Sequence, residues 1–282
     1  MGVSVGALAA RATYRYLRLM MIALPSLLLV ATALAFFWLG IIETSISAYY
    51  LGPIRDVFVG VMMAIAACLV VYRGSTPLED FSLDVAGFFA IFVALVPTDL
   101  GLTLAALDTS ARAELVASLR ASTVAVLVVS AMFVLVEIRT APWAPAPLAG
   151  HRPTRVIATV TNIVLVAFVA LVGWRVVEGG AFDWVHGSAA ILFMASLAVA
   201  VGSHGWPQVA GASTGDTQRA EHRGKYRAIF FLMVAGLPLY GVLYLSGWDY
   251  AVLAVEWYVV ALFALFWVLE TRRTWTAASL GV

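Results

Sequence analysis

Apolar residues fall along this chain in long runs bounded by charges, glycine or proline, and eight of those runs are about as long as a bilayer core is thick. They cover about 17–42, 56–73, 83–102, 116–138, 155–176, 184–203, 226–246 and 250–270, with boundaries good to about four residues. The pattern predicts an all-α, polytopic membrane helix bundle of eight transmembrane helices forming a single transmembrane domain over 1–282. The first run has an Arg-rich flank (Arg11, Arg15, Arg18) and no small-residue cleavage site, so it reads as a retained anchor rather than a signal peptide. The stretch from Arg139 to Arg155 carries four prolines and reads as a linker. His204 to Lys225 reads as a flexible polar loop without assigned chemistry.

Composition supports this reading. The 282 residues are 63% hydrophobic and 12% charged, about half the charge of a soluble domain. Seventeen basic residues against sixteen acidic ones leave a net charge of +1, which argues against nucleic acid as a partner. The lone Cys68 excludes a disulfide or a cysteine metal site within one chain.

Positive charge sets the orientation, because Lys and Arg are retained in cytoplasmic loops. With the N-terminus inside and eight crossings, only Arg55, Arg112, Arg120 and Arg175 of the seventeen basic residues fall outside. Both termini are therefore expected to be cytoplasmic. Sixteen of the basic residues are Arg, which looks like a GC-rich bacterial coding bias and suggests the bacterial cytoplasmic membrane.

Ionisable groups at membrane depth are costly unless paired or facing a cavity. Glu256 lies about six residues, hence about 9 Å, into the last run. His186 and Asp183 start the sixth run one helical turn apart, Arg55 and Asp56 start the second, and Thr98 and Asp99 follow Pro97 at the end of the third. All of these fall on the extracytoplasmic side, level with Ser45, Ser47, Tyr49 and Tyr50 of the first outer loop. An outward-opening polar pocket is the functional expectation. Against it stand plain readings: Asp56 favours a helix N-terminus, Tyr49, Tyr50, Trp184 and Trp248 are interfacial anchors, and Glu256 makes a helix-to-helix hydrogen bond. Glu137, Arg139, Glu270 and Arg272 at the inner span ends read as snorkelling residues.

Most catalytic chemistries fail against this inventory. There is no GxSxG, HExxH or Gly-rich phosphate loop. No cofactor is expected; His186 with Asp56 or Glu256 offers at most a partial site for one divalent metal. Ser45 or Ser47 with His186 and Glu256 has the sidedness of a nucleophile, base and carboxylate set.

Three segments resemble the DRAM/Sfk/FRAG family of polytopic membrane proteins. They are Ser45-Ile46-Ser47 followed by Pro53 and RDVFVG, His186 in VHGSAAILF, and Glu256-Trp257 in AVEWYVVALFALF. YRAIFFLMVAGLPLYG corresponds to the penultimate span. The resemblance covers about 1–102 and 178–275, and implies six family-like helices with an inserted helix pair at about 103–177. The acid that commonly follows Ile-Ser in the family is missing, since Ala48 follows Ser47. Members are linked to lipid handling, which implies a membrane lipid or lipoglycan as ligand.

The leading expectation is a pocket that binds or modifies a membrane lipid. His186, Glu256 and Asp56 would carry any chemistry, and Ser45, Ser47, Tyr49, Arg55 and Trp257 would line the ligand. Whether it is an enzyme stays open. A non-catalytic scaffold or assembly partner is the alternative, with a membrane-protein partner on the inserted pair, and an ion-coupled transporter ranks third.

Overall fold

The computed structural model describes residues 5–140, 152–178, 182–210 and 217–279. Among the described residues nine helices appear in the order α1 (Val5–Leu39), α2 (Arg55–Val71), α3 (Pro77–Leu95), α4 (Leu100–Ala106), α5 (Thr109–Thr140), α6 (Arg152–Glu178), α7 (Val185–Gly205), α8 (Thr217–Leu245) and α9 (Ala251–Ser279). A 3-10 turn, Ser47–Leu51, lies between α1 and α2. No strand occurs among the described residues.

Seven helices are long and apolar enough to cross a membrane. The remaining long one, α2, has 17 residues and reaches about 25 Å at 1.5 Å per residue, against a core of about 30 Å. These eight helices match the eight apolar runs one for one. The third begins earlier than its run: Thr76 caps α3 by accepting from the Glu79 amide at 3.1 Å, and Pro77 occupies the first turn. Most of the Arg139–Arg155 linker lies outside the described residues.

Helix α3 is the centre, packed between α2 and α7. Ala86, Ala90 and Ala94 recur one turn apart along it, each fully buried. At Gly87 an added Cβ would lie 2.9 Å from the Ala66 carbonyl oxygen and 2.7 Å from a Val70 methyl, so glycine lets the α2 and α3 backbones approach. Around this core α1, α8 and α9 complete the bundle. Arg15 near the start of α1 stacks 4.6 Å above the ring of Trp275 in the last turns of α9, which places both chain ends at one end of the molecule.

Helices α5 and α6 lie at the periphery against α3 and α7. Only 6% of the spanning window of α5 is buried. Phe168 of α6 is the docking point, with its ring edge-on to Phe88, Phe89 and Phe92 of α3 at 5.1–6.2 Å.

Candidate functional site

The residues expected to form one outer site separate into three places. The first surrounds Glu256, which is half-buried between α9 and the first loop. One carboxyl oxygen accepts from the Ile46 amide at 2.5 Å and the other from the Ser47 hydroxyl at 3.4 Å. The loop also caps α9, because the Leu253 amide donates to the Thr44 carbonyl at 3.0 Å. Ser45, Ser47, Tyr49 and Tyr50 are all buried. Tyr49 and Tyr50 are thus core residues of a folded loop, not the interfacial anchors expected of them. Burial holds the Tyr49 phenol above its usual pKa, and its hydroxyl donates to the Ile41 carbonyl at 3.3 Å. Trp257 turns its indole N–H into the interior, where no described residue accepts it.

The second place is the exposed start of α2. Asp56 occupies the first helical turn, while Arg55 lies 4.9 Å from the Tyr50 ring centroid and donates to its hydroxyl at 3.4 Å. Among the described residues no hydrogen bond joins Asp56, Glu256 and His186 to one another.

The third place is a cleft of about 470 Å3 between the α3–α4 junction and the start of α7, lined by Thr98, Asp99, Asp183, Trp184 and His186 among others. Pro97 ends α3, and the chain turns through Asp99 before α4 begins. Among the described residues three non-glycines have positive φ: Asp99 at 50°, Phe182 at 53° and Trp184 at 70°. All three line this cleft. Left-handed backbone costs roughly 1–3 kcal/mol for a bulky residue and collects where geometry serves a function.

His186 is 9% exposed. Its Nδ1 lies 2.6 Å from the Val96 carbonyl oxygen. A carbonyl can only accept, so Nδ1 carries the proton. In the neutral ring Nε2 is then a bare acceptor, and no described residue occupies it. Asp99 and Asp183 are exposed at the rim. Asp183 rests over Gly101, whose added Cβ would lie 3.9 Å from Oδ1. Helix α6 braces the rim: its Arg175 donates to the Asp183 carbonyl at 3.2 Å and pairs with Glu178 at 2.7 Å.

At the opposite end is a polar cluster that the sequence did not suggest. His204, in the last turn of α7, lies 2.8 Å from Glu79 of α3 through Nε2 and 3.7 Å from Glu270 of α9 through Nδ1. Glu79, His204 and Glu270 are each at most 1% exposed. Tyr226 of α8 donates to Glu270 at 2.9 Å, and Arg273 pairs with Glu270 at 2.6 Å. The Ser75 amide and hydroxyl donate to Glu79 at 2.6 and 2.7 Å. Glu270 is therefore an interior residue rather than a snorkelling one, and His204, the first residue of the stretch read as a loop, belongs to a buried network. Residues 211–216 of that stretch lie outside the described residues. The capping pattern Thr76-Pro77-Leu78-Glu79 is a sequence signal that could have drawn attention to Glu79 at this end.

Between the two ends, the bundle holds a void of about 20 Å3 lined by apolar residues including Leu28, Met62, Phe193, Val259 and Phe263. It has room for about one water but offers that water no polar partner. No three His, Cys, Asp or Glu side chains converge closely enough to hold a metal among the described residues. Compared with known protein families, with curated proteins and with solved structures, the chain has no match in any of the three.

Proposed function

We propose that the chain crosses the bacterial cytoplasmic membrane eight times with both termini inside, and that the cleft at His186 receives the polar headgroup of a membrane lipid on the outer side. The carrying observation is His186: a buried ring whose Nδ1 is fixed on Val96 and whose Nε2 is left free at a cleft of ligand size. Exposed apolar side chains beside it, such as Leu102 at 75%, fit a ligand whose tail remains in the bilayer. The reading favours binding over turnover, because Thr98 is the only hydroxyl side chain among the described lining residues and no Ser or Cys is present as nucleophile.

The resemblance to the DRAM/Sfk/FRAG family agrees with a lipid ligand. Two of its motifs, Ser45-Ile46-Ser47 and Glu256-Trp257, meet through the Glu256 hydrogen bonds. A second reading, a scaffold without a ligand, is favoured by those same bonds, since they pin a loop to a helix and need no substrate. Transport ranks last because the void at mid-bundle is apolar.

A photo-crosslinking amino acid at Leu102, which lines the cleft, tests the proposal against one at Leu245, which is 86% exposed on α8. Lipid capture at 102 should fall when His186→Ala is added, while capture at 245 should not. Equal capture at 102 with and without His186 contradicts headgroup binding and leaves the scaffold.

A further inference from the structure

The lining of the cleft specifies the chemistry of its ligand. Asp99 and Asp183 present carboxylates at the rim, and Nε2 of His186 presents a lone pair from within. No Lys or Arg lines the cleft among the described residues. The nearest arginine with a role there, Arg175, commits its guanidinium to Glu178 and to the backbone carbonyl of Asp183. It forms no ion pair with the Asp183 carboxylate among the described residues. Every ionisable side chain lining the cleft therefore offers an acceptor; of the neutral polar groups, the Thr98 hydroxyl both donates and accepts and the Trp184 indole N–H donates.

A phosphate or carboxylate would meet no cation in such a place, whereas an ammonium would meet three acceptors. Trp184, 79% exposed and also lining the cleft, adds an aromatic surface that favours a cation. A small bare metal ion fits less well, because the three groups do not converge at ligand distance.

We infer that the group taken by this cleft is an organic ammonium, held between the carboxylates of Asp99 and Asp183 with His186 Nε2 as a third acceptor. The inference rests on the reading of the cleft as a headgroup site, and it narrows that reading to amine-bearing headgroups. The same chemistry is offered by a lipid headgroup and by a free amine.

Native mass spectrometry of the full chain in detergent, titrated separately with phosphatidylethanolamine, phosphatidylglycerol, ethanolamine and manganese, separates these sources. The expected result is phosphatidylethanolamine bound at least about tenfold more tightly than phosphatidylglycerol, the ratio that one charge-assisted contact supplies. The double variant Asp99→Asn, Asp183→Asn should bring the two lipids to parity. Asparagine tolerates the left-handed backbone at position 99, and an unchanged melting temperature confirms the fold. If the double variant melts lower, Asp183→Asn alone is read and should remove part of the preference.

Saturable, His186-dependent binding of both lipids without preference overturns the ammonium inference while the headgroup reading survives. Ethanolamine binding that depends on both aspartates, with no His186-dependent lipid binding, supports the ammonium and overturns the lipid reading. A lipid preference that persists in the asparagine variants overturns the inference, as does saturable manganese binding that they abolish.

Discussion

His186 is buried and Glu256 half-buried, and their surroundings differ in what they leave unsatisfied. Both carboxyl oxygens of Glu256 accept hydrogen bonds, from Ile46 and Ser47. His186 satisfies one ring nitrogen on Val96 and leaves the other to the cleft. The first pattern is that of a structural bond and the second that of a binding group. Glu256→Gln keeps an acceptor for the Ile46 amide and should lower unfolding free energy by less than about 1 kcal/mol, while Glu256→Leu strands that amide and should cost roughly 1–3 kcal/mol. Thermal melting in detergent measures both, and equal losses would show that the hydrogen bond is not what holds the loop. Both residues were conspicuous in the sequence as ionisable groups at depth. Their separation was not, because sidedness along a chain says nothing about which neighbouring helix a side chain meets.

Helix ends carry most of the polar structure. Asp108 caps α5, accepting from the Ala111 amide at 2.8 Å and from the Ser110 hydroxyl at 2.7 Å. The amide bond first, and the hydroxyl bond second, hold its carboxyl below the usual pKa of 3.8. A carboxyl depressed in the folded state contributes stability above its unfolded pKa and loses it as pH falls through the lower folded value. Hydrogen exchange at the Ala111 amide should therefore quicken as pH is lowered below about 3.8, after correction for intrinsic rates, and Asp108→Ala should remove that dependence. At the other end of the molecule, the network of Glu79, His204, Tyr226, Glu270 and Arg273 ties α3, α7, α8 and α9 together. Removing His204 leaves a buried carboxylate oxygen without its hydrogen bond, which costs roughly 1–3 kcal/mol. His204→Leu should destabilise by that amount, and the double variant His204→Leu, Glu79→Leu should recover part of it. Additive losses in a double-mutant cycle would deny the coupling. These residues escaped the sequence reading for a physical reason: each stands near the end of an apolar run, where a polar side chain ordinarily reaches for headgroups, and only packing turns them inward.

At the scale of the whole molecule, the alternation of apolar runs and polar breaks carried the architecture. Eight runs became eight long helices, and the two helices between the third run and His186, α5 and α6, lie at the periphery. The arginines assigned to the outer side bear on orientation. Arg55 engages Tyr50, Arg112 the Leu104 carbonyl, Arg120 the Val176 and Val177 carbonyls, and Arg175 the Asp183 carbonyl with Glu178. Each of the four apparent exceptions to the charge bias has a protein partner, so none is left as a free loop charge opposing the N-inside arrangement. In a Cys68→Ser background, cysteine at Asp183 should react with a membrane-impermeant maleimide in intact cells. Cysteine at Arg272 should react only after permeabilisation, and the reverse pattern would invert the topology.

The central claim is that the cleft at His186 holds a lipid headgroup. A cryo-electron microscopy structure of the full chain in a lipid nanodisc tests it most directly. Headgroup density is expected within about 3 Å of His186 Nε2, between Asp99 and Asp183, continuous with an acyl chain beside Leu102. A cleft containing only water, with lipid density confined to the outer faces of the bundle, would contradict it.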